Sequence, residues 1–301
     1  MNAPSSIICF GFEVRSDIDL VYARTGSGSP LHVAEGTNEP EPRSEPLLEW
    51  VPRPGHPFQA RLHSFASGYQ VWIDDVGGYT VYPGEPRIEV PAGSLGVRRE
   101  ERLWGIPSAL CFVRRGDLPL HAAAVEIGGR VLLLAAPGRF GKTTLAAAFS
   151  GRGHRVLSED LACLRRGDPP TLLPGPAMLR VRRDVADRIP LPAARVVAED
   201  DERIHLALED AGDGDPVPIA GIVLLRWSGG EVRLDRLDRG DALRELWAVS
   251  FNLPTDSDRS RCFRDLTDLV GAVPVRRLDR PLGFEVLDEV LELLTVEGLE
   301  P

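Results

Sequence analysis

The sequence predicts an α/β protein, and three observations carry that prediction. An apolar strand candidate over 131–135 runs straight into a short glycine-containing loop and then an alanine-rich helix candidate over 144–150. Before it, residues from about 7 to 115 hold short β-favouring runs separated by Gly and Pro turns. After it, apolar residues recur at helical spacing towards the C-terminus. The organisation expected is a β-rich N-terminal region over 1–115, followed by a larger P-loop domain over 116–301.

In chain order, the runs Tyr69-Gln70-Val71-Trp72-Ile73 and Tyr79-Thr80-Val81-Tyr82 predict two strands of a hairpin around Gly77-Gly78. Residues 34–57, rich in Pro and Glu, predict a long loop. The apolar stretch 103–113 predicts a helix, with Pro107 marking its start or a break. A hairpin of two buried strands is expected over 122–127 and 130–135, turning at Gly128-Gly129. Another short strand is expected over 155–158, continuing through 161–164 past an acidic interruption. Residues 219–227 predict an apolar strand that pairs with 231–237 across Gly229-Gly230, and 241–251, 259–270 and 287–294 predict helices.

The 301 residues carry a net charge of −10 with 43% hydrophobic and 27% charged residues, a balance that supports a buried core. A chain this acidic lacks the basic stripe of a general nucleic-acid binder, so no nucleic-acid partner is expected. No apolar run is long enough for a membrane span, and no signal-peptide pattern opens the chain; a cytoplasmic protein with no membrane partner is expected. Cys9, Cys111, Cys163 and Cys262 show no metal or disulfide spacing and are expected to be free and buried. Trp50, Trp72 and Trp104 are expected to anchor the core or an interface.

The chemistry concentrates in Ala136-Pro137-Gly138-Arg139-Phe140-Gly141-Lys142-Thr143. A strand, a loop ending in Gly-Lys-Thr and a helix make up the phosphate-binding pattern: backbone N–H groups converge as an anion nest, and the helix N-terminus adds partial positive charge. Gly138, Arg139, Phe140, Gly141, Lys142, Thr143 and Thr144 are therefore the expected nucleotide-binding residues. Lys142 reaches the outer phosphates, and the Thr143 hydroxyl ligates Mg²⁺. Alanine replaces glycine at position 136, with Gly138 expected to supply the backbone freedom instead. Beyond the helix, Glu159-Asp160 ends a strand where one carboxylate can hold Mg²⁺ and the other accept a proton. His121 precedes the hairpin strand and can tune that pair if the strands are neighbours. The other five histidines, His32, His56, His63, His154 and His205, stand in no such context.

The order His121-Ala122-Ala123-Ala124-Val125, Gly128-Gly129-Arg130, the loop, and Gly151-Arg152-Gly153-His154-Arg155-Val156-Leu157-Ser158-Glu159-Asp160 resembles the catalytic domain of HPr serine kinase/phosphorylase. It is more similar still to the HPr-kinase-like proteins of bacterial gene clusters, including those of lasso peptides. The resemblance is clear over 118–165 and looser beyond.

It implies an α/β P-loop kinase domain of the HPr kinase/phosphoenolpyruvate carboxykinase-like type and a bacterial source. The implied activity is ATP-Mg²⁺-dependent transfer of the γ-phosphoryl group to a hydroxyl, a serine, of a peptide, protein or small molecule. His121, Glu159 and Asp160 become the catalytic group and Thr143 with Asp160 the metal site. A homo-oligomer is implied by the hexamers of HPr kinases.

Three features depart from the family. Glu159 replaces the usual aspartate, Arg139 and Phe140 stand where small residues are usual, and the glycine-rich segment used for HPr is missing. The stretch Ala177-Met178-Leu179-Arg180-Val181-Arg182 occupies its place, where Arg180 or Arg182 is a candidate phosphate contact. HPr is therefore not the expected acceptor. The alternative reading is a regulatory module that binds nucleotide without efficient transfer.

Overall fold

The computed structural model describes residues 7–22, 24–51, 60–93, 96–191, 193–210 and 212–300. The N-terminal strands are β1 (Ile7–Cys9), β2 (Phe12–Ser16), β3 (Arg24–Thr25), β4 (Ser29–Glu35), β5 (Leu48–Trp50), β6 (Ala60–Phe65), β7 (Gly68–Ile73), β8 (Gly77–Tyr82) and β9 (Arg87–Val90). They form one sheet in the order β3-β1-β2-β4-β9-β8-β7-β6-β5. The β7–β8 hairpin is present, but Ile73 pairs with Gly77, so the two glycines open β8 and the turn is Asp74-Asp75-Val76. The expected loop over 34–57 is interrupted by β5, which pairs with β6 and adds an edge to the sheet; its last part, 52–57, lies outside the described residues.

Two helices follow, α1 (Val97–Leu103) and α2 (Ile106–Arg115). Pro107 lies in the first turn of α2, where its missing N–H has no intrahelical partner to lose. Gly116, at φ 104°, ends the helix in the left-handed conformation.

The second sheet starts with β10 (Leu118–Leu120), β11 (Ala122–Ile127) and β12 (Arg130–Ala135). Gly128 and Gly129 both take positive φ, the backbone that a two-residue hairpin turn demands. Helix α3 (Lys142–Gly151) follows, then β13 (Arg155–Ser158), β14 (Ala162–Arg165) and β15 (Thr171–Leu173). The expected continuation through 161–164 does not occur. The chain bends at Glu159-Asp160, β13 stays on β11, and β14 pairs with β10 and β15.

A small antiparallel sheet comes next, built from β16 (Met178–Arg182), α4 (Arg183–Ala186), β17 (Ala194–Glu199) and β18 (Arg203–Leu208) in the strand order β16-β18-β17. The chain then returns through β19 (Val217–Trp227), β20 (Arg233–Arg236), α5 (Arg239–Ala248), α6 (Asp256–Ala272), β21 (Val275–Arg280) and α7 (Leu287–Val296).

Strand β19 is parallel to both β12 and β21. The expected β19–β20 hairpin across Gly229-Gly230 is absent: β20 pairs with β21, which lies between the two. A parallel strand delivered by the long α5–α6 crossover takes the place beside β19, a connection that parallel pairing requires.

Alternation along β11 and β12 explains why both read as unbroken apolar runs. Ala122, Ala124, Leu133 and Ala135 face one buried cluster, shared with the N-terminal sheet, α2, α5 and α6. Ala123, Val125, Leu132 and Leu134 face a second, shared with α3 and α7. A strand buried on both faces has no polar face to show. Ala146, Ala147 and Ala148 are small enough for α3 to lie close on this sheet. All four cysteines are buried and free, and among the described residues no helix is long and apolar enough to cross a membrane.

Candidate phosphate and acid site

The loop between β12 and α3 makes the strand–loop–helix passage that the sequence predicts. Ala136 is buried and needs no positive φ, so glycine is dispensable there. The backbone freedom falls elsewhere than expected: Gly138 is not left-handed, whereas Arg139 (φ 70°) and Gly141 (φ 90°) are. Arg139 accepts a conformation costing a non-glycine residue on the order of 1–2 kcal/mol. Gly138 and Arg139 are exposed, while Phe140, Gly141, Thr143 and Thr144 are half-buried at the head of α3.

Lys142 is folded back over the loop. Its Nζ donates to the carbonyls of Ala136 at 2.8 Å and Pro137 at 3.3 Å, and the side chain is buried. Burial pushes the ammonium below its ordinary pKa, opposed by the charges of Asp160 and Glu159. Phe140 turns its ring onto Trp227, at the end of β19, in a stack with centroids 4.9 Å apart.

Sheet register brings the acidic pair to the histidine. Ala124 of β11 pairs with Ser158 of β13, and Leu120 of β10 pairs with Ala162 of β14. His121 is the crossing from β10 to β11, and 159–161 is the crossing from β13 to β14, so the two bends lie side by side. Ser158 closes its bend by donating to the Leu161 carbonyl. His121 Nε2 reaches Asp160 Oδ1 at 2.9 Å. Its backbone N–H is held by the Val249 carbonyl at the end of α5.

The two acids differ sharply in setting. Glu159 is buried, accepts from the Thr143 hydroxyl at 3.0 Å through Oε1, and binds Arg180 Nε at 2.8 Å through Oε2. Asp160 is 55% exposed. Desolvation works against its charge, yet His121, Lys142 and Arg180 together hold the carboxyl well below the usual carboxylate range. Arg180 reaches it at 3.6 Å. Although burial opposes its charge, Arg180 is raised above the usual arginine value by Glu159, Asp160 and Glu101.

Of the two arginines singled out in the sequence, only Arg180 belongs here; Arg182, at the end of β16, is exposed and pairs with Asp184 of α4. Three supporting residues have no local signal. Arg24, buried on β3, donates to the carbonyls of Gly175 (2.7 Å) and Val156 (2.9 Å), fixing β13 just before the acids. His205 does have a context, contrary to the expectation: it is the register partner of Arg180 and lies 2.6 Å from Glu101 of α1. All of these contacts span large sequence separations, so spacing could not disclose them.

The donor set beside the loop is a hydroxyl and two carboxylates, oxygen ligands suited to a hard cation. Among the described residues, no group of three or more His, Cys, Asp or Glu is placed to hold a metal ion.

No protein-family model and no curated protein matches the chain. Among solved structures it is similar to the HPr(Ser) kinase/phosphatase from Coxiella burnetii, with 11% identity and a TM-score of 0.33 over 60% of this chain and 90% of that one. The likeness is loose and concerns fold alone.

Proposed function

We propose that this protein is an ATP-dependent phosphotransferase of the HPr-kinase-like type, which passes the γ-phosphoryl group to a hydroxyl, a serine of a peptide or protein or the alcohol of a small molecule. HPr is not the proposed acceptor, because the glycine-rich segment that the family uses for it is missing from the sequence. The observation that carries the reading is the His121–Asp160 contact beside a loop whose next residue after the lysine, Thr143, is bonded to Glu159.

In this reading the loop N–H groups and the α3 N-terminus bind the phosphates, and Lys142 exchanges its loop carbonyls for phosphate oxygens. Thr143 and Glu159 are the residues that would hold Mg²⁺. Glu159 takes the metal-side role first expected of Asp160 because its Oε1 already lies on the Thr143 hydroxyl. The ion, when bound, supplies neutralisation of phosphate charge.

Asp160, the open acid, orients the acceptor hydroxyl and takes its proton. The acceptor oxygen bonds to the γ-phosphorus, the bond from that phosphorus to the β,γ-bridging oxygen breaks, and ADP leaves. Such a transition state asks mainly for positioning and charge stabilisation, which suits a carboxylate held this acidic. His121 keeps Asp160 aimed and ionised. Residues 1–115 are proposed as the β-rich region that recognises the acceptor, and a homo-oligomer is proposed as the working form.

The test is incubation of the purified protein with γ-labelled ATP, Mg²⁺ and hydroxyl acceptors encoded beside its gene. Transfer that is lost in Asp160→Asn supports the reading; nucleotide binding without transfer to any acceptor argues against it. One observation favours a second reading, a regulatory module that binds nucleotide without efficient transfer: Arg180 already neutralises both acids. A nucleotide-dependent change in partner binding, with Asp160→Asn behaving as the unaltered protein, would single that reading out.

A further inference from the structure

Strand β21 ends against the outside of the phosphate loop with Arg280, the register partner of Trp227. The side chain is 4% exposed. Its Nε is buried without a hydrogen-bond partner, and its NH2 group donates a long bond of 3.4 Å to the Phe140 carbonyl. Among the described residues no carboxylate pairs with it. Burial alone moves its pKa, downwards, with no neighbouring charge contributing. A guanidinium left in this state is costly, because buried charge is ordinarily paired. Arg180, by contrast, has its carboxylate beside it, and Arg24, buried without a carboxylate, is held by short bonds to the Gly175 and Val156 carbonyls.

The contact also has a direction. The peptide unit is planar and trans, so the Phe140 C=O and the Gly141 N–H point opposite ways. Holding the carbonyl on Arg280 therefore keeps the Gly141 N–H on the opposite side of the peptide, away from the guanidinium. The space a Cβ would need at Gly141 is filled by Arg280 itself, whose NH2 group lies 2.3 Å from that position. Glycine at 141 therefore answers to two demands, the φ of 90° and the close approach of this guanidinium.

We propose that Arg280 is a positioning residue of the phosphate loop, whose missing counter-ion is the polyphosphate of the bound nucleotide. It orients the 140–141 peptide towards the anion and places a full positive charge one peptide unit behind it. The inference rests on the reading of 136–143 as a phosphate loop. It adds a ligand-linked cation from the strand beyond β19, outside the loop motif.

The experiment compares the full chain with Arg280→Met and Arg280→Lys, measuring pyrophosphate and Mg-ATP binding by calorimetry and the Tm with and without each ligand. An uncompensated buried charge contributes nothing to the free protein, so Arg280→Met should keep or raise the ligand-free Tm. It should also lose about 10- to 100-fold in affinity for both ligands and most of the ligand-induced Tm rise. Arg280→Lys should recover part of the affinity. A lowered ligand-free Tm with unchanged affinity in Arg280→Met would mean a purely structural arginine and overturn the inference while leaving the loop reading intact. Failure of the unaltered protein to bind either ligand would remove the loop reading and the inference together.

Discussion

Nε2 of His121 lies 2.9 Å from Oδ1 of Asp160, across 39 residues of sequence, because each occupies the bend between two strands that pair with the other's strands. The contact makes the charge state of Asp160 depend on its neighbours. His121→Asn removes one of the positive charges that lower the Asp160 pKa, so that pKa must rise. The acid limb of the kcat/KM profile for phosphoryl transfer is therefore expected to move to higher pH in His121→Asn. An acid limb that stays in place would separate Asp160 from the rate-limiting ionisation.

Asp160→Asn keeps the size and the approach of the side chain but not its proton affinity. A fall in kcat of about 10²- to 10⁴-fold is expected, the usual range for losing a positioned base, with the Kd for Mg-ATP changed only a few-fold. Glu159→Gln should divide the other way. It disturbs the Thr143 and Arg180 contacts and raises the Mg²⁺ concentration needed for half-maximal rate. Titrating metal and nucleotide separately in the two variants checks this split.

Lys142 is held by two loop carbonyls, which phosphate oxygens replace in the proposed reading. Removing a cation about 4 Å from a phosphate costs up to ~4 kcal/mol at the effective dielectric of a partly exposed site. Lys142→Met should therefore weaken Mg-ATP binding by about 10²- to 10³-fold, read by calorimetry, with adenosine affinity unchanged.

How much of this was legible in the sequence follows from the range of each interaction. The passage from β12 through the loop to α3 is local, and its apolar run, Gly141-Lys142-Thr143 and alanines announce it directly. His121 and Glu159-Asp160 were legible as a set from their order around the hairpin, although only the register of β11 with β13 explains their contact. Pairing between neighbours in sequence misled the reading at β20: a Gly-Gly turn looked sufficient for a hairpin, whereas a strand forty residues later takes the place beside β19. The same distance hid Arg280, since Val275-Arg276-Arg277-Leu278-Asp279-Arg280 has too many charges to read as a buried strand. Arg180 is legible only as one of two candidate phosphate contacts; its place on Glu159 depends on β16, which the sequence does not announce.

Arg180 also supports the fold. Its side chain is 13% exposed and that of Glu159 1%, so Arg180→Met strands a buried carboxylate. Breaking one side of such a pair costs about 3–5 kcal/mol. Urea unfolding should show that loss at neutral pH, and the double variant Arg180→Met/Glu159→Leu should recover most of it, because the penalty belongs to the unpaired charge. Equal stabilities for the two variants would mean that the unpaired Glu159 side chain carries no such penalty.

The last expectation concerns pH and the network behind Arg180. His205, 2.6 Å from Glu101 and 3.2 Å from Asp200, has its pKa raised above 6.5 by the Glu101 hydrogen bond, against desolvation. A group raised in the folded state contributes stability that is complete below its unfolded pKa, near 6.5, and is lost as pH rises through the folded value. Glu101 behaves oppositely. Desolvation lifts its pKa, but His205 and Arg180 overcome that and hold it below 4.5, so its contribution is lost as pH falls through the depressed value.

Stability should therefore decline as pH rises above 6.5 through the raised His205 value. His205→Gln should be less stable at pH 6 and should flatten that decline. Because Glu101 tethers α1 to the strand beside Arg180, the alkaline loss should also appear as faster hydrogen exchange in β16 and β18. Parallel pH curves for the two proteins would place the charge on His205 outside the folding equilibrium.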